Sequence, residues 1–89
     1  MQSDLSNQVN IGKDTEKKLI QVGIDSFEKL KTIGTEQAFI KLQTIDPGAC
    51  LSLLYGLEGA IEGIPSKDLS SEKKLELKEF HKMMKKKVS

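Results

Sequence analysis

The longest apolar segment of the sequence, residues 46–63, constrains the fold more than any other stretch. Asp46 suits an N-cap, and Pro47 suits the first helical position, where a missing N–H group costs nothing. The apolar residues then recur at three- and four-residue spacing, which is the period of an α-helix. Further leucines widen this stripe until most of the circumference is apolar, a pattern that is typical of a buried helix. The segment therefore predicts a central core helix.

Glycines inside this segment predict close packing. Gly56 and Gly59 fall within the predicted helix, and each costs about 0.5–1 kcal/mol relative to alanine. We therefore expect another backbone to approach the helix at these positions. The segment is also interrupted by Glu58 and is shorter than the roughly 20 apolar residues that a membrane span needs, so no membrane partner is predicted.

Length and composition predict one small domain over residues 1–89, with the last few residues frayed. The chain has 37% hydrophobic and 30% charged residues, which suits a folded soluble protein. The first ten residues are polar and show no signal-peptide pattern. A single cysteine excludes an internal disulfide, and no Cys/His cluster suits a metal. We expect a cytoplasmic protein without cofactors.

The charge does not demand a polyanionic partner. The formal net charge is +1, and every basic residue other than the histidine is a lysine. Arginine supplies the bidentate fork that reads guanine edges, so its absence disfavours base-specific DNA recognition. The C-terminal sequence HKMMKKKVS is locally basic, which is typical of a solvated helix end near the negative pole of the helix dipole.

Along the chain, the periodicity and turn residues predict an all-α domain of five to six short helices with tight turns around the central helix. Glycine-containing turns are expected at Asn10–Gly12, Gly23 and Gly34. The predicted helices cover residues 3–9, 13–22, 27–32, 36–44, 46–63 and 70–86. Their predicted N-caps are Ser3 or Asp4, Asp14 or Thr15, Asp25 or Ser26, Thr35, Asp46, and Ser70 or Ser71.

The first turn, Asn10-Ile11-Gly12-Lys13-Asp14-Thr15, resembles the helix-hairpin-helix motif. In that motif the N–H groups at the start of the second helix face a phosphate. Ile11 and Gly12 match the buried apolar residue and the second glycine, whereas Asp14 stands where the motif usually has a basic residue. The resemblance implies a candidate phosphate contact formed by Gly12, Lys13, Thr15, Lys17 and Lys18.

Over nearly the whole chain, the order of these segments resembles the C-terminal domain of the TfoX (Sxy) family of competence regulators. The most specific part is Leu-Leu-Tyr-Gly-Leu-Glu-Gly-Ala at residues 53–60, followed by an Asp-Leu pair at residues 68–69 and a charged helix. The resemblance implies an all-helical fold and an association with DNA uptake and transformation through regulation of transcription. Members of the family often carry an additional N-terminal domain.

No arrangement of residues predicts an enzyme. Cys50 lies in the apolar segment, where a buried, inert thiol is expected. His81, on the lysine-rich last helix, is expected at the solvated surface. Glu58 is expected to have a structural role, and Tyr55 is expected in the core with its hydroxyl group on a polar partner.

Two functions remain open. The first is a module that binds the DNA backbone weakly and without sequence preference through the hairpin. The second is a protein-interaction module that contacts the transcription machinery or a regulator, or that forms a homodimer. Its candidate interface residues are Gly56, Gly59, Met83 and Met84. The near-neutral charge, the absence of arginine and the position of Asp14 favour the second function.

Overall fold

The computed structural model describes residues 4–88, with side chains through residue 84. Four α-helices and two short 3-10 helices make up the described chain, and no strand occurs among residues 4–88. The helices are α1 (Lys13–Gln21), α2 (Phe27–Gln43), α3 (Leu51–Glu62) and α4 (Ser71–Val88), and the 3-10 helices are Leu5–Asn7 and Ser66–Asp68. The all-α prediction is confirmed, although four α-helices and two short 3-10 helices stand where five to six helices were predicted.

Helix α3 occupies the centre of the core. It packs against α2 on one side, and both α4 and the connecting 3-10 helix Ser66–Asp68 also pack against it. Leu54, Leu57 and Ala60 of α3 are almost fully buried, together with Phe39 from α2 and Leu77 from α4. The predicted central core helix is therefore confirmed, with the leucine-rich composition that the low aromatic content implied.

The start of α3 corrects the sequence prediction. The helix begins at Leu51, and the capping position is Cys50 rather than Asp46. Residues 46–50 form a turn in which the Ala49 N–H group donates to the Asp46 carbonyl oxygen. The Asp46 side chain does not cap α3, because the helix begins four residues beyond the predicted start. Its carboxylate accepts from Lys18 Nζ and from the local Gly48 backbone instead.

The ends of α1 and α3 share one geometry. Gly23 and Gly63 have φ angles of +89° and +77°, and both follow the end of their helix. The N–H group of the next residue returns to a carbonyl oxygen five residues earlier, from Ile24 to Leu19 and from Ile64 to Gly59. This is the Schellman arrangement, which needs a left-handed residue and therefore favours glycine. It turns the buried Ile24 side chain inward as predicted.

Helix α2 is interrupted where two separate helices were predicted. Gly34 has non-helical backbone angles, with φ of +85° and ψ of +165°, inside an otherwise continuous helix. The helix end predicted at Gly34 is therefore present as a kink, with no loop between the two helical parts of α2. Ser26 caps α2 as predicted, because its Oγ accepts from the Lys29 N–H group. The predicted cap at Thr35 is not observed; the hydroxyl group of this residue donates to Glu58.

The N-terminal helix is much shorter than predicted, since only Leu5–Asn7 is helical and Gln8 is already extended. Asp4 precedes this turn, but its side chain accepts from the Phe27 N–H group instead of capping. The alternative cap Ser3 lies outside the described residues. At the other end of the chain, Ser70 caps α4 by accepting from the Lys73 N–H group, as predicted.

Candidate interaction surfaces

The hairpin turn keeps the backbone geometry that the sequence predicted. Asn10 has a φ of +71°, Ile11 is buried, and Gly12 is the N-cap of α1. No side chain caps this helix start in the part of the chain that the structure describes, so the predicted caps Asp14 and Thr15 are not used. The first N–H groups of α1 therefore lie at an exposed turn, and the N-cap residue Gly12 supplies no side-chain hydrogen bond to them.

The charges around this turn do not favour a phosphate. Lys13 and Lys17 are exposed, and Thr15 is half-buried. Lys18 Nζ lies 2.8 Å from Asp46 Oδ2, so a carboxylate of the same chain already neutralises this ammonium group. Asp14 and Glu16 add two acids to the first turn of α1. Of the five residues in the predicted phosphate contact, only Lys13 and Lys17 combine a positive charge with full exposure.

The Lys18–Asp46 pair also changes the titration of both groups. The hydrogen bond and the charge of Asp46 raise the pKa of Lys18. The hydrogen bond from Lys18, followed by its positive charge, lowers the pKa of Asp46 despite some loss of hydration. The two shifts agree in direction, and together they describe an ion pair that joins α1 to the turn before α3.

The glycines of α3 are packed against the chain itself. A methyl group at Gly59 would lie 2.7 Å from the Ile64 carbonyl oxygen and against the Asn10 amide nitrogen. Asn10 also joins the two segments, since its Nδ2 donates to the Ile64 carbonyl at 3.0 Å and its Oδ1 accepts from the Ser66 N–H group at 3.2 Å. Close approach at Gly56 and Gly59 is therefore intramolecular, and both glycines are buried.

The exposed apolar residues of α4 lie away from the core. Met83 is 60% exposed and Leu75 is 59% exposed, whereas Met84 is half-buried. Phe80 points inward and packs edge-on against Phe39, with ring centroids 6.3 Å apart. We call Leu75 and Met83 the apolar pair of α4. Leu75 lies about 200° around the helix from the buried Leu77, so a helical projection places it away from the core.

Two side chains differ from their predicted environments. Cys50 is exposed rather than buried. Helix α3 begins at Leu51, so Cys50 lies at the capping position and not inside the helix. There the Leu53 N–H group lowers the pKa of the thiol. His81 is half-buried rather than solvated, and its ring centroid lies 5.9 Å from that of Phe39. Tyr55 follows its prediction, since its hydroxyl group donates to the Lys74 carbonyl oxygen.

A cleft of about 310 Å³ opens at the kink of α2. The buried Thr35 hydroxyl group donates to Glu58 Oε1 at 2.8 Å across this cleft. Burial pushes the pKa of Glu58 upward, but hydrogen bonds with Glu62 and Thr35 outweigh it and the net shift is downward. The hydrogen bond with Glu58 raises the pKa of Glu62. Glu58 thus has the structural role that the sequence favoured, holding α3 to the kinked part of α2.

Among residues 4–88, no group of three or more histidine, cysteine or acidic side chains is placed to hold a metal ion. The same residues contain no helix with the length and hydropathy that crossing a membrane requires.

Comparison with protein families identifies this architecture. The model of the TfoX C-terminal domain matches residues 1–81 of the 89-residue chain. The chain belongs to the TfoX C-terminal domain family. Two solved structures share the fold of this TfoX C-terminal domain, and both come from Listeria monocytogenes. No functionally curated protein matches the chain.

The first structure is described as an uncharacterized protein in a triclinic form. It is 43% identical, with a TM-score of 0.90 over 91% of this chain and 92% of that chain. The second is described as a protein of unknown function in a tetragonal form. It is 44% identical, with a TM-score of 0.87 over 89% of this chain and 98% of that chain. At this identity, the near-complete overlap in both directions agrees with the family assignment.

Proposed function

We propose that this TfoX C-terminal domain is a non-enzymatic regulatory module that acts through protein–protein contacts. The TfoX family includes regulators of competence, so we expect the partner to be a component of the transcription machinery or a transcriptional regulator. The observation that carries the proposal is the apolar pair of α4. Leu75 and Met83 lie about 80° apart around a helix whose exposed side is otherwise charged, and apolar surface rimmed by polar residues is a feature of protein interfaces.

The charges of the hairpin support a protein partner over a phosphate. Lys18 is paired with Asp46, and Asp14 and Glu16 lie in the first turn of α1. A phosphate that approaches the helix start would meet two carboxylates within one turn. The buried glycines of α3 offer no exposed surface, so Met83 and Met84 are what remains of the interface predicted from the sequence, and Leu75 joins them.

Site-directed substitution of the apolar pair tests this function. We expect the wild-type chain to form a stoichiometric complex with purified RNA polymerase or a purified competence regulator, measured by light scattering after size exclusion. The double variant Leu75→Ser/Met83→Ser should weaken this complex at least about tenfold, which corresponds to a loss of about 1.4 kcal/mol of binding free energy. The control Ile45→Ser removes an apolar residue that is 44% exposed elsewhere and should leave binding unchanged.

A wild-type chain that binds neither class of protein, and that remains monomeric at high concentration, contradicts the proposal. A concentration-dependent dimer that the double variant abolishes would instead identify a second copy as the partner.

A second candidate function is weak, sequence-independent binding of the DNA backbone at the hairpin. It is supported by the exposed Gly12, which has open space in front of it, at a helix start without a side-chain cap. The variant Gly12→Glu places a carboxylate at this position. Loss of duplex binding in this variant, measured by fluorescence anisotropy at low salt, would favour the hairpin, and unchanged binding would exclude it.

A further inference from the structure

Lysines repeat along one side of helix α4. Lys74, Lys78 and Lys82 follow one another at four-residue intervals, so they lie on the same side of the helix over about 12 Å. Like charges at this spacing repel one another and destabilise an isolated helix by a few tenths of a kcal/mol per pair. The pattern therefore opposes helix formation rather than supporting it.

The structure does not neutralise this row. The ion pairs within the described residues are Lys18–Asp46, Lys29–Asp25 and Lys73–Glu76, and none of them includes a lysine of the row. Lys78 and Lys82 are exposed. The Lys74 Nζ donates to the Lys67 carbonyl oxygen at 3.1 Å, an uncharged acceptor that leaves the positive charge in place.

The hydrogen bond from Lys74 to the Lys67 carbonyl oxygen also brings a fourth lysine, Lys67, next to the row on α4. It joins α4 to the 3-10 helix Ser66–Asp68, in which Lys67 is exposed. We call Lys67, Lys74, Lys78 and Lys82 the lysine face. In the sequence, three further lysines follow at positions 85–87. The local density of positive charge is thus much higher than the net charge of +1 indicates.

The acids of α4 lie mostly on its other side. Glu72 and Glu76 stand two residues before Lys74 and Lys78, which is about 200° around the helix. Glu76 is in addition paired with Lys73. Glu79 lies at the edge of the lysine face, three residues before Lys82. The helix therefore separates its charges into a basic side and an acidic side.

We propose that the lysine face binds the phosphate backbone of a nucleic acid without sequence preference. A row of compact ammonium groups suits a polymer whose charge repeats regularly, since double-stranded DNA carries one negative charge per about 1.7 Å of its axis. A phosphate backbone can pair with the row of lysines at any position along its length. An acidic protein segment, in contrast, must place its carboxylates in register with the lysines. The face contains no arginine to read base edges, which limits it to backbone contacts.

This surface is separate from the hairpin but borders the apolar pair, since Leu75 and Lys82 are seven residues apart and lie within about 20° of each other around α4. Substitutions that change only charge or only apolar area distinguish the two contacts. At the hairpin, the ammonium group of Lys18 is engaged and two acids lie nearby. On the lysine face, the charges of Lys78 and Lys82 are unpaired among the described residues. The lysine face is therefore the stronger attractor for a polyanion on this chain.

Salt-dependent binding of a short fluorescent duplex to the full chain tests the proposal. Each phosphate that a lysine neutralises contributes about −0.9 to the slope of log K against log salt. The double variant Lys78→Gln/Lys82→Gln should therefore make the slope less negative by about 1.8 and weaken binding at least about tenfold at low salt. Glu79→Gln removes the acid at the edge of the face and should strengthen binding.

The matched control is Lys31→Gln/Lys41→Gln on α2. It removes two exposed lysines outside both the hairpin and α4, so the two double variants carry the same net charge. We expect this control to retain the wild-type slope. A separate variant, Lys13→Gln/Lys17→Gln, tests the hairpin. Because Lys78 and Lys82 are exposed, their replacement should leave the fold intact, which circular dichroism verifies.

Three results would overturn the proposal. The first is no duplex binding by the wild-type chain at the lowest salt. The second is a loss of slope in the Lys13→Gln/Lys17→Gln variant rather than in the α4 variant, which would assign binding to the hairpin. The third is equal affinity for polyglutamate, which would assign the lysine face to an acidic protein. A Leu75→Ser/Met83→Ser variant that loses its protein partner but binds the duplex normally would separate the two surfaces.

Discussion

Gly59 and Gly56 lie one turn apart on α3 and have different surroundings. At Gly59, a methyl group would lie 2.7 Å from the Ile64 carbonyl oxygen and 3.3 Å from the Ser66 Cα. At Gly56, the same group would lie 3.6 Å from the Asn10 Cβ, which is ordinary contact. Only Gly59 is therefore required by packing, although the sequence pattern treats both positions alike.

We expect Gly59→Ala to destabilise the fold by about 1–3 kcal/mol, because the added methyl group displaces a backbone that cannot retreat. Gly56→Ala should be neutral or stabilising by up to about 1 kcal/mol, since alanine favours the helix. Urea denaturation of the two variants measures both free energies of unfolding. Equal destabilisation by both substitutions would show that the contact of Gly59 with the 64–66 segment has little energetic weight.

At the scale of elements, the kink in α2 depends on one residue. Gly34 has a φ of +85° and a ψ of +165°, a region that is almost exclusive to glycine. A Cβ at this position would meet nothing within 4 Å, so the constraint comes from the backbone and not from crowding. The kink places Thr35 where its hydroxyl group reaches Glu58, and it opens the cleft between α2 and α3.

Gly34→Ala should therefore cost about 1–3 kcal/mol of stability, the usual range for a backbone in a sparsely populated region. Gly12→Ala is the control. It also adds a methyl group to open space, but at a φ of −91° that any residue adopts, so its effect should stay within about 0.5 kcal/mol. Thermal unfolding compares the two. A harmless Gly34→Ala would indicate that α2 can straighten without loss.

The elements that the sequence predicts well are those with local signals. The glycine turn after α1, the serine caps of α2 and α4, and the buried face of α3 were all predicted from neighbouring residues, whereas Gly63 was placed inside the predicted central helix. The missed features involve distant partners. Asp46 has the position and chemistry of a helix cap, yet its carboxylate pairs with Lys18, 28 residues away. Similarly, Asp4 accepts from Phe27 rather than capping its own helix. Local spacing contains no information about such pairs.

At the scale of the whole molecule, the Lys18–Asp46 pair joins the N-terminal hairpin to the helical core. The pKa of Asp46 is lowered on folding, so its contribution to stability is present above its ordinary value of 3.8 and is lost as the pH falls through the folded value. The pKa of Lys18 is raised from 10.5, so its contribution is present below that pH and is lost as the pH rises through the folded value. The pair is thus intact across the neutral range.

The variant Asp46→Asn should lower the melting temperature modestly at neutral pH, because the pair is exposed and screened by salt. The difference from the wild-type protein should shrink as the pH falls below the ordinary Asp pKa of 3.8 and through the lower folded pKa, where the wild-type carboxylate becomes protonated. Melting curves at a series of pH values measure this difference. The control Asp25→Asn removes the partner of Lys29 in an exposed pair between the residues just before α2 and its first turn, so it should not loosen the hairpin. A constant difference at all pH values would assign the effect of Asp46 to its turn geometry instead.

The Asn10 side chain joins two parts of the chain that are more than 50 residues apart, since it bonds to Ile64 and Ser66. Bringing such distant segments together requires closure of a long loop, which is slow compared with the formation of local helical contacts. The closure becomes easier once α2 and α3 have packed and shortened the path between the segments. The N-terminal hairpin is therefore expected to dock late in folding and to be among the first parts of the protein to open.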